Sequence, residues 1–131
     1  MNQSPDDKLR MLVVDDHADA ADSLRLLMEL AGHEARAAYD GVEALRVARE
    51  FRPRVIFTDI EMPGMHGVEL ARQLRQLPEL AGVILVAASG TARGDTRLDG
   101  CDGLFDDWLR KPFGWSAVQS LLLQFAARSR L

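Results

Sequence analysis

Val55-Ile56-Phe57-Thr58-Asp59 is a β-branched and aromatic run that stops on an acid. A short apolar run bounded by polar residues reads as a buried strand that ends at a polar rim. Upstream, Leu12-Val13-Val14-Asp15-Asp16 has the same build, and downstream Val83 to Ala88 repeats it ahead of Ser89-Gly90. Strands this evenly apolar, with no polar alternation, belong to a parallel sheet covered on both faces.

The intervals between these runs carry a helical period. Leu24, Leu27, Met28 and Ala31 fall at i, i+3, i+4 and i+7, and Gly32 follows where a helix end takes a left-handed residue. A weak strand fits Glu34 to Ala38. Asp40-Gly41 then turns into a helix through Val42, Leu45 and Val47 towards Phe51, closed by Pro53. Met62-Pro63-Gly64 breaks the chain before a helix over Val68 to Leu77. From Thr91 to Gly103, Gly94, Gly100 and Gly103 stand among charged residues, so a helix there is predicted to be short and soft. Phe105 to Arg110 predicts a last strand ended by Lys111-Pro112. Ser116 to Arg128 predicts a closing helix with Val118, Leu121, Leu122 and Phe125 on one face. The expectation is an α/β fold, a doubly wound five-stranded parallel sheet alternating with five helices that lie on both faces.

With 131 residues the chain has room for one domain, read as residues 10–131 behind a polar tail over 1–9. A hydrophobic content of 47% supports an ordinary core, and 27% charged residues supply a soluble surface. The net charge of -4 disfavours a broad electrostatic grip on nucleic acid, so no direct nucleic-acid partner is expected. Cys101 is the only cysteine, which rules out an intramolecular disulfide and a thiolate metal cluster. Neither an export signal nor a membrane-spanning apolar stretch is evident, so a cytoplasmic place and no membrane partner are expected.

In open parallel sheets, ligands bind beyond the carboxyl ends of the strands. Those ends carry Asp15, Asp16, Asp59, Ser89 and Lys111. Carboxylates gathered on one rim repel and raise one another's pKa unless a cation or proton is shared. A hard divalent cation, Mg²⁺ or Mn²⁺, suits Asp16 and Asp59 with Asp15 nearby. Phosphoryl transfer asks for an in-line nucleophile and for neutralisation of the equatorial oxygens more than for acid–base work. Asp59 can be the nucleophile, Lys111 a point charge, and Ser89 with the Gly90 N–H a source of hydrogen bonds.

Four motifs together resemble those of response-regulator receiver domains, the CheY-like family. They are Val13-Val14-Asp15-Asp16, Thr58-Asp59-Ile60-Glu61-Met62-Pro63-Gly64-Met65-His66-Gly67, Ser89-Gly90 and Lys111-Pro112-Phe113. The resemblance covers nearly the whole chain, and the first half is similar to receivers of hybrid histidine kinases. It implies a flavodoxin-like (βα)5 fold. It also implies a two-component phosphoacceptor that catalyses only its own phosphorylation and dephosphorylation, and so is not an enzyme in the usual sense. Asp59 would form the acyl phosphate, and Asp16, Asp59 and the Glu61 main-chain carbonyl would bind the cation, with Asp15 acting through a bound water. Ser89 and Lys111 would hold the phosphoryl group. Trp108, three residues before the lysine, would be the switch aromatic, and Glu61 and Thr91 would tune the phosphoryl lifetime. The implied donor is a histidine kinase or a histidine phosphotransfer protein. The implied output is a target protein met through the fourth-helix, fifth-strand, fifth-helix face. The chain departs from the pattern in the size of Trp108 and in the glycine-rich stretch before it.

Plainer readings exist for each residue. Asp15-Asp16 can cap the first helix, Asp59 and Ser89 can be turn and cap residues, Lys111 can be solvated, and Trp108 can be core. His17, His33 and His66 lack metal-ligand spacing and are expected on loops, and Cys101 is expected to be inert. Rival functions are a haloacid-dehalogenase-type phosphatase and a receiver-like module that is never phosphorylated. The former wants a second Asp where Glu61 stands, and the latter has no need of all five site positions. Dinucleotide binding lacks its glycine fingerprint after Val14.

Overall fold

The structure is a computed structural model and describes residues 8–90 and 103–129. Five parallel strands form one sheet in the order β2-β1-β3-β4-β5: β1 (Arg10–Val14), β2 (Glu34–Ala38), β3 (Val55–Asp59), β4 (Ile84–Ser89) and β5 (Asp107–Arg110). The helices are α1 (Ala18–Leu30), α2 (Gly41–Phe51), α3 (Gly67–Arg75) and α4 (Trp115–Ser129), with a 3₁₀ turn at Pro78–Leu80. The α/β class, the five strands and their parallel pairing are as the sequence predicts. The helix expected between Thr91 and Gly103 falls on 91–102, outside the described residues, so the predicted fifth, closing helix is α4 here.

Side-chain alternation along the strands divides the core in two. Leu12, Val14 and Ile56 point to α2 and α3, where they meet Val47, Phe51, Leu70 and Leu74. Met11, Val13, Val55 and Phe57 point the other way, to Met28 of α1 and Val118, Leu122 and Phe125 of α4. All five residues of β3, the central strand, are buried. That is why its sequence shows no polar alternation. Leu9, just ahead of β1, is already packed in the core, and its N–H donates to Nδ1 of buried His33 at 3.0 Å.

Three local features depart from the sequence pattern or explain it. Val42 is 70% exposed and Leu27 40% exposed, so the apolar stripes of α2 and α1 are wider than the faces they bury. The last strand starts at Asp107 rather than Phe105 because the Asp106 carboxylate itself accepts the Leu85 N–H at 2.8 Å, in place of a ladder carbonyl. Arg75, at the end of α3, donates to the carbonyls of Val83 and Leu104 and pairs with Asp106 at 2.9 Å, which ties α3 to the entry of β4 and β5.

Gly67 sets how α3 meets the sheet. A Cβ there would lie 2.4 Å from the Asp59 carbonyl oxygen, closer than packing permits, and the Gly67 N–H donates to the Ile60 carbonyl at 3.0 Å. The helix therefore begins directly against the backbone of the central strand's last residue.

Candidate functional site

Parallel register brings the strand ends to one level. Val14 pairs with Thr58 and Asp59 with Ala88, so Asp15, Asp59 and Ser89 emerge side by side. The Lys111 N–H donates to the Ser89 carbonyl at 2.8 Å, which carries the end of β5 to the same rim. Asp59 and Asp15 are 4% and 7% exposed and Ser89 is fully buried. Asp16 is only partly buried and Glu61 is exposed.

The Lys111 ammonium bridges two acids, with Nζ 3.0 Å from Asp15 Oδ2 and 3.2 Å from Asp59 Oδ2. One cation against three carboxylates leaves the rim negative, and Asp59, Asp15 and Lys111 titrate accordingly. Burial pushes Asp59 up to about 6, against the pull of Lys111 and with help from the charges of Asp15 and Glu61. Asp15 is also penalised by burial, but the His17 backbone N–H and Lys111 outweigh that and hold it below the usual aspartate value. Lys111 loses from burial and gains more from Asp15 and Asp59, so it is raised and stays charged.

A divalent cation fits this donor set. Asp15, Asp16, His17 and Asp59 each offer a ligand atom, all within 4.8 Å of one another. Among the described residues the one buried side-chain polar atom with no hydrogen-bond partner is Asp16 Oδ1. Such an orphan carries a desolvation penalty unless something positive meets it.

Other predicted positions are placed as follows. The Ser89 hydroxyl donates to Glu61 Oε1 at 2.6 Å, so the side chain of Glu61 reaches across the site to the serine. Trp108 is half-buried, edge-on to Phe105 with ring centroids 5.3 Å apart, against the α2–α3 half of the core. Thr91 lies outside the described residues. His17, His33 and His66 are on loops as expected, but His17 is no bystander: Nδ1 lies 3.4 Å from Asp15 Oδ1 and 3.5 Å from Asp16 Oδ1. Its position immediately after the acid pair was the available signal. Beside the acids, an apolar cleft of about 570 Å³ opens between α1 and α4, walled by Leu24, Leu27, Trp115 and Val118.

Comparison with known proteins bears directly on this arrangement. The family model described as "Response regulator receiver domain" matches residues 11–122, most of the chain. The chain belongs to the response-regulator receiver family. Response regulator MprA of Mycobacterium avium is 35% identical over 122 residues, covering 93% of this chain and 51% of MprA, so the chain spans about half the length of that relative. Among solved structures, the Vibrio cholerae chemotaxis protein CheY4 superposes with a TM-score of 0.82 at 26% identity, covering 89% of this chain and 98% of CheY4. Thermotoga maritima TrrA, solved in complex with Mg²⁺-BeF, gives 0.76 at 25% identity over 88% of this chain and 96% of TrrA. The receiver is a signalling domain, the phosphoacceptor module of two-component systems, and its fold is that of CheY-like proteins. Among the described residues, no helix is long and apolar enough to cross a membrane.

Proposed function

We propose that Asp59 is the phosphoacceptor of this receiver. Its partners in the reaction are Lys111 and Ser89, and a Mg²⁺ or Mn²⁺ ion is held by Asp16, Asp59 and the Glu61 carbonyl, with Asp15 behind them. The observation that carries the reading is the Lys111 ammonium bridging Asp15 and Asp59 beside the orphaned Asp16 Oδ1. A carboxylate, an ammonium and an unmet cation ligand at one strand-end rim are the parts that phosphoryl transfer requires.

An Asp59 carboxylate oxygen attacks phosphorus in line, the phosphorus–nitrogen bond of a donor phosphohistidine breaks, and the imidazole departs. Lys111 moves from carboxylate to phosphoryl oxygen, and the Ser89 hydroxyl turns from Glu61 to another. The bound cation would neutralise charge on the phosphoryl oxygens. Burial of Asp59 and Ser89 limits the approach of water, and eventual hydrolysis of the acyl phosphate resets the domain. Glu61 and Thr91 tune that lifetime through water access.

The donor is a histidine kinase or histidine phosphotransfer protein. The apolar cleft beside Asp59, walled by residues of α1 and α4, offers a protein donor an apolar surface to dock against. Trp108 serves as the switch aromatic, and output passes to a protein target through the face that the family resemblance implies, to which β5 and α4 belong. The domain works in the cytoplasm without touching nucleic acid or membrane itself, in keeping with its net charge of -4. The test is intact-protein mass after incubation with acetyl phosphate and Mg²⁺. The wild type should gain one phosphoryl group and Asp59→Asn none. Equal labelling of the two would overturn the assignment.

A further inference from the structure

Two histidines of this chain stand immediately before a helix, and they behave differently. His66 turns Nδ1 back to accept the Val68 N–H at 3.2 Å and so caps α3. His17 makes no side-chain cap for α1 and aims Nδ1 at Asp15 Oδ1 and Asp16 Oδ1 instead, at 3.4 and 3.5 Å. Those separations are loose for nitrogen–oxygen hydrogen bonds, which cluster near ~2.9 Å. Two ligand atoms about 2.0–2.2 Å from one shared ion stand this far apart at a near-tetrahedral angle, wider than the right angle of octahedral Mg²⁺. One of the two oxygens, Asp16 Oδ1, is the buried atom without a hydrogen-bond partner.

We propose that His17 is an additional, imidazole ligand of the divalent-cation site, and that it biases the site towards cations that accept nitrogen, such as Co²⁺, relative to Mg²⁺. The inference rests on the cation reading of the preceding section and goes beyond it in naming a nitrogen ligand. The Asp15 carboxylate is divided between two sides. Oδ2 is held by Lys111, while Oδ1 accepts the His17 backbone N–H at 3.0 Å and faces the ring. That backbone bond keeps residue 17 beside the acids whatever the ring does. The side chain is 77% exposed, so its Nδ1 reaches the acids with little loss of hydration. Mg²⁺ prefers oxygen donors and retains water, whereas affinity for imidazole rises along the transition-metal series. A nitrogen ligand therefore widens the gap between the two kinds of cation.

The experiment uses the full chain as wild type, His17→Ala and Asp16→Asn. Calorimetric titrations with Mg²⁺ alone and Co²⁺ alone are paired with pulsed electron paramagnetic resonance of the Mn²⁺-loaded protein. In His17→Ala, Co²⁺ affinity should fall on the order of tenfold while Mg²⁺ affinity changes less than about twofold. The nitrogen-14 modulation of an imidazole ligand should be present in the wild type and absent from this variant. An unchanged ratio of Co²⁺ to Mg²⁺ affinity, or no nitrogen-14 modulation in the wild type, overturns the inference and leaves the oxygen-ligand site standing. Asp16→Asn should weaken both cations. A wild type that binds neither would overturn the cation reading itself and this inference with it.

Discussion

Replacing Asp59 with asparagine should make the metal-free protein more stable, by an amount the titration of the aspartate sets. Asp59 is 4% exposed, and burial raises its pKa from the usual 3.8 to about 6. A group whose pKa is raised on folding stabilises the fold fully below its unfolded value and loses that contribution as pH rises through the folded one. Above about pH 7 the folded wild type therefore carries a carboxylate that would be better hydrated in the unfolded chain. At ~1.4 kcal/mol per pH unit the gap amounts to at most about 3 kcal/mol. Asparagine keeps the shape, removes the charge and leaves Lys111 its 3.0 Å partner Asp15. Asp59→Asn should thus melt higher than wild type by on the order of 10 °C in chelator at about pH 8. The advantage should shrink through pH 6 and vanish near pH 4. Added Mg²⁺ should narrow it by stabilising only the protein that binds the ion well. Calorimetric melts of both proteins across this range test the argument. An asparagine variant no more stable than wild type at about pH 8, or a gain that persists undiminished to pH 4, would refute it.

Lys111→Ala removes the charge that holds Asp59 down, so Asp59 should titrate above about 6, measurable by carboxyl-carbon NMR, and labelling by acetyl phosphate should fall at neutral pH. Gly67→Ala puts a methyl group 2.4 Å from the Asp59 carbonyl oxygen and should cost about 1–3 kcal/mol in urea unfolding, with NMR shift changes centred on Asp59 and Ile60. Arg75→Ala strips donors from the Val83 and Leu104 carbonyls and should cost about 1–3 kcal/mol by the same assay, without abolishing phosphoryl labelling. Glu61→Ala frees the Ser89 hydroxyl from its 2.6 Å acceptor and should change the decay rate of the phosphorylated protein, followed by loss of phosphoryl mass with time.

The strand ends were legible because burial on both faces leaves a continuous apolar run and the rim residue breaks it sharply. Val55 to Asp59 and Leu12 to Asp16 announce themselves in that way. The closing helix was equally plain, since Val118, Leu121, Leu122 and Phe125 are all buried. Periodicity fixes the direction of an apolar stripe but not its buried width, which depends on the neighbour across the groove; Val42 and Leu27 are exposed for that reason. The start of β5 depends on one carboxylate, that of Asp106, competing for a ladder N–H, which no propensity encodes. Within the site, the residue types and the strands that carry them could be read from the chain. The reach of Glu61 to Ser89 and of His17 to Asp16 could not, because both depend on side-chain torsions and on loops lying next to one another in space.

The bridge between Lys111 and Asp15 joins residues 96 positions apart. Between them in the sheet lie β3 and β4, so the ammonium can reach the acid only after every central strand has taken its neighbour. A chain still emerging during synthesis, or one with β5 detached, holds Asp59 without the ammonium that stands 3.2 Å from it in the folded domain. Under the proposed role of Asp59, competence to receive a signal is in this sense a certificate of a fully assembled sheet.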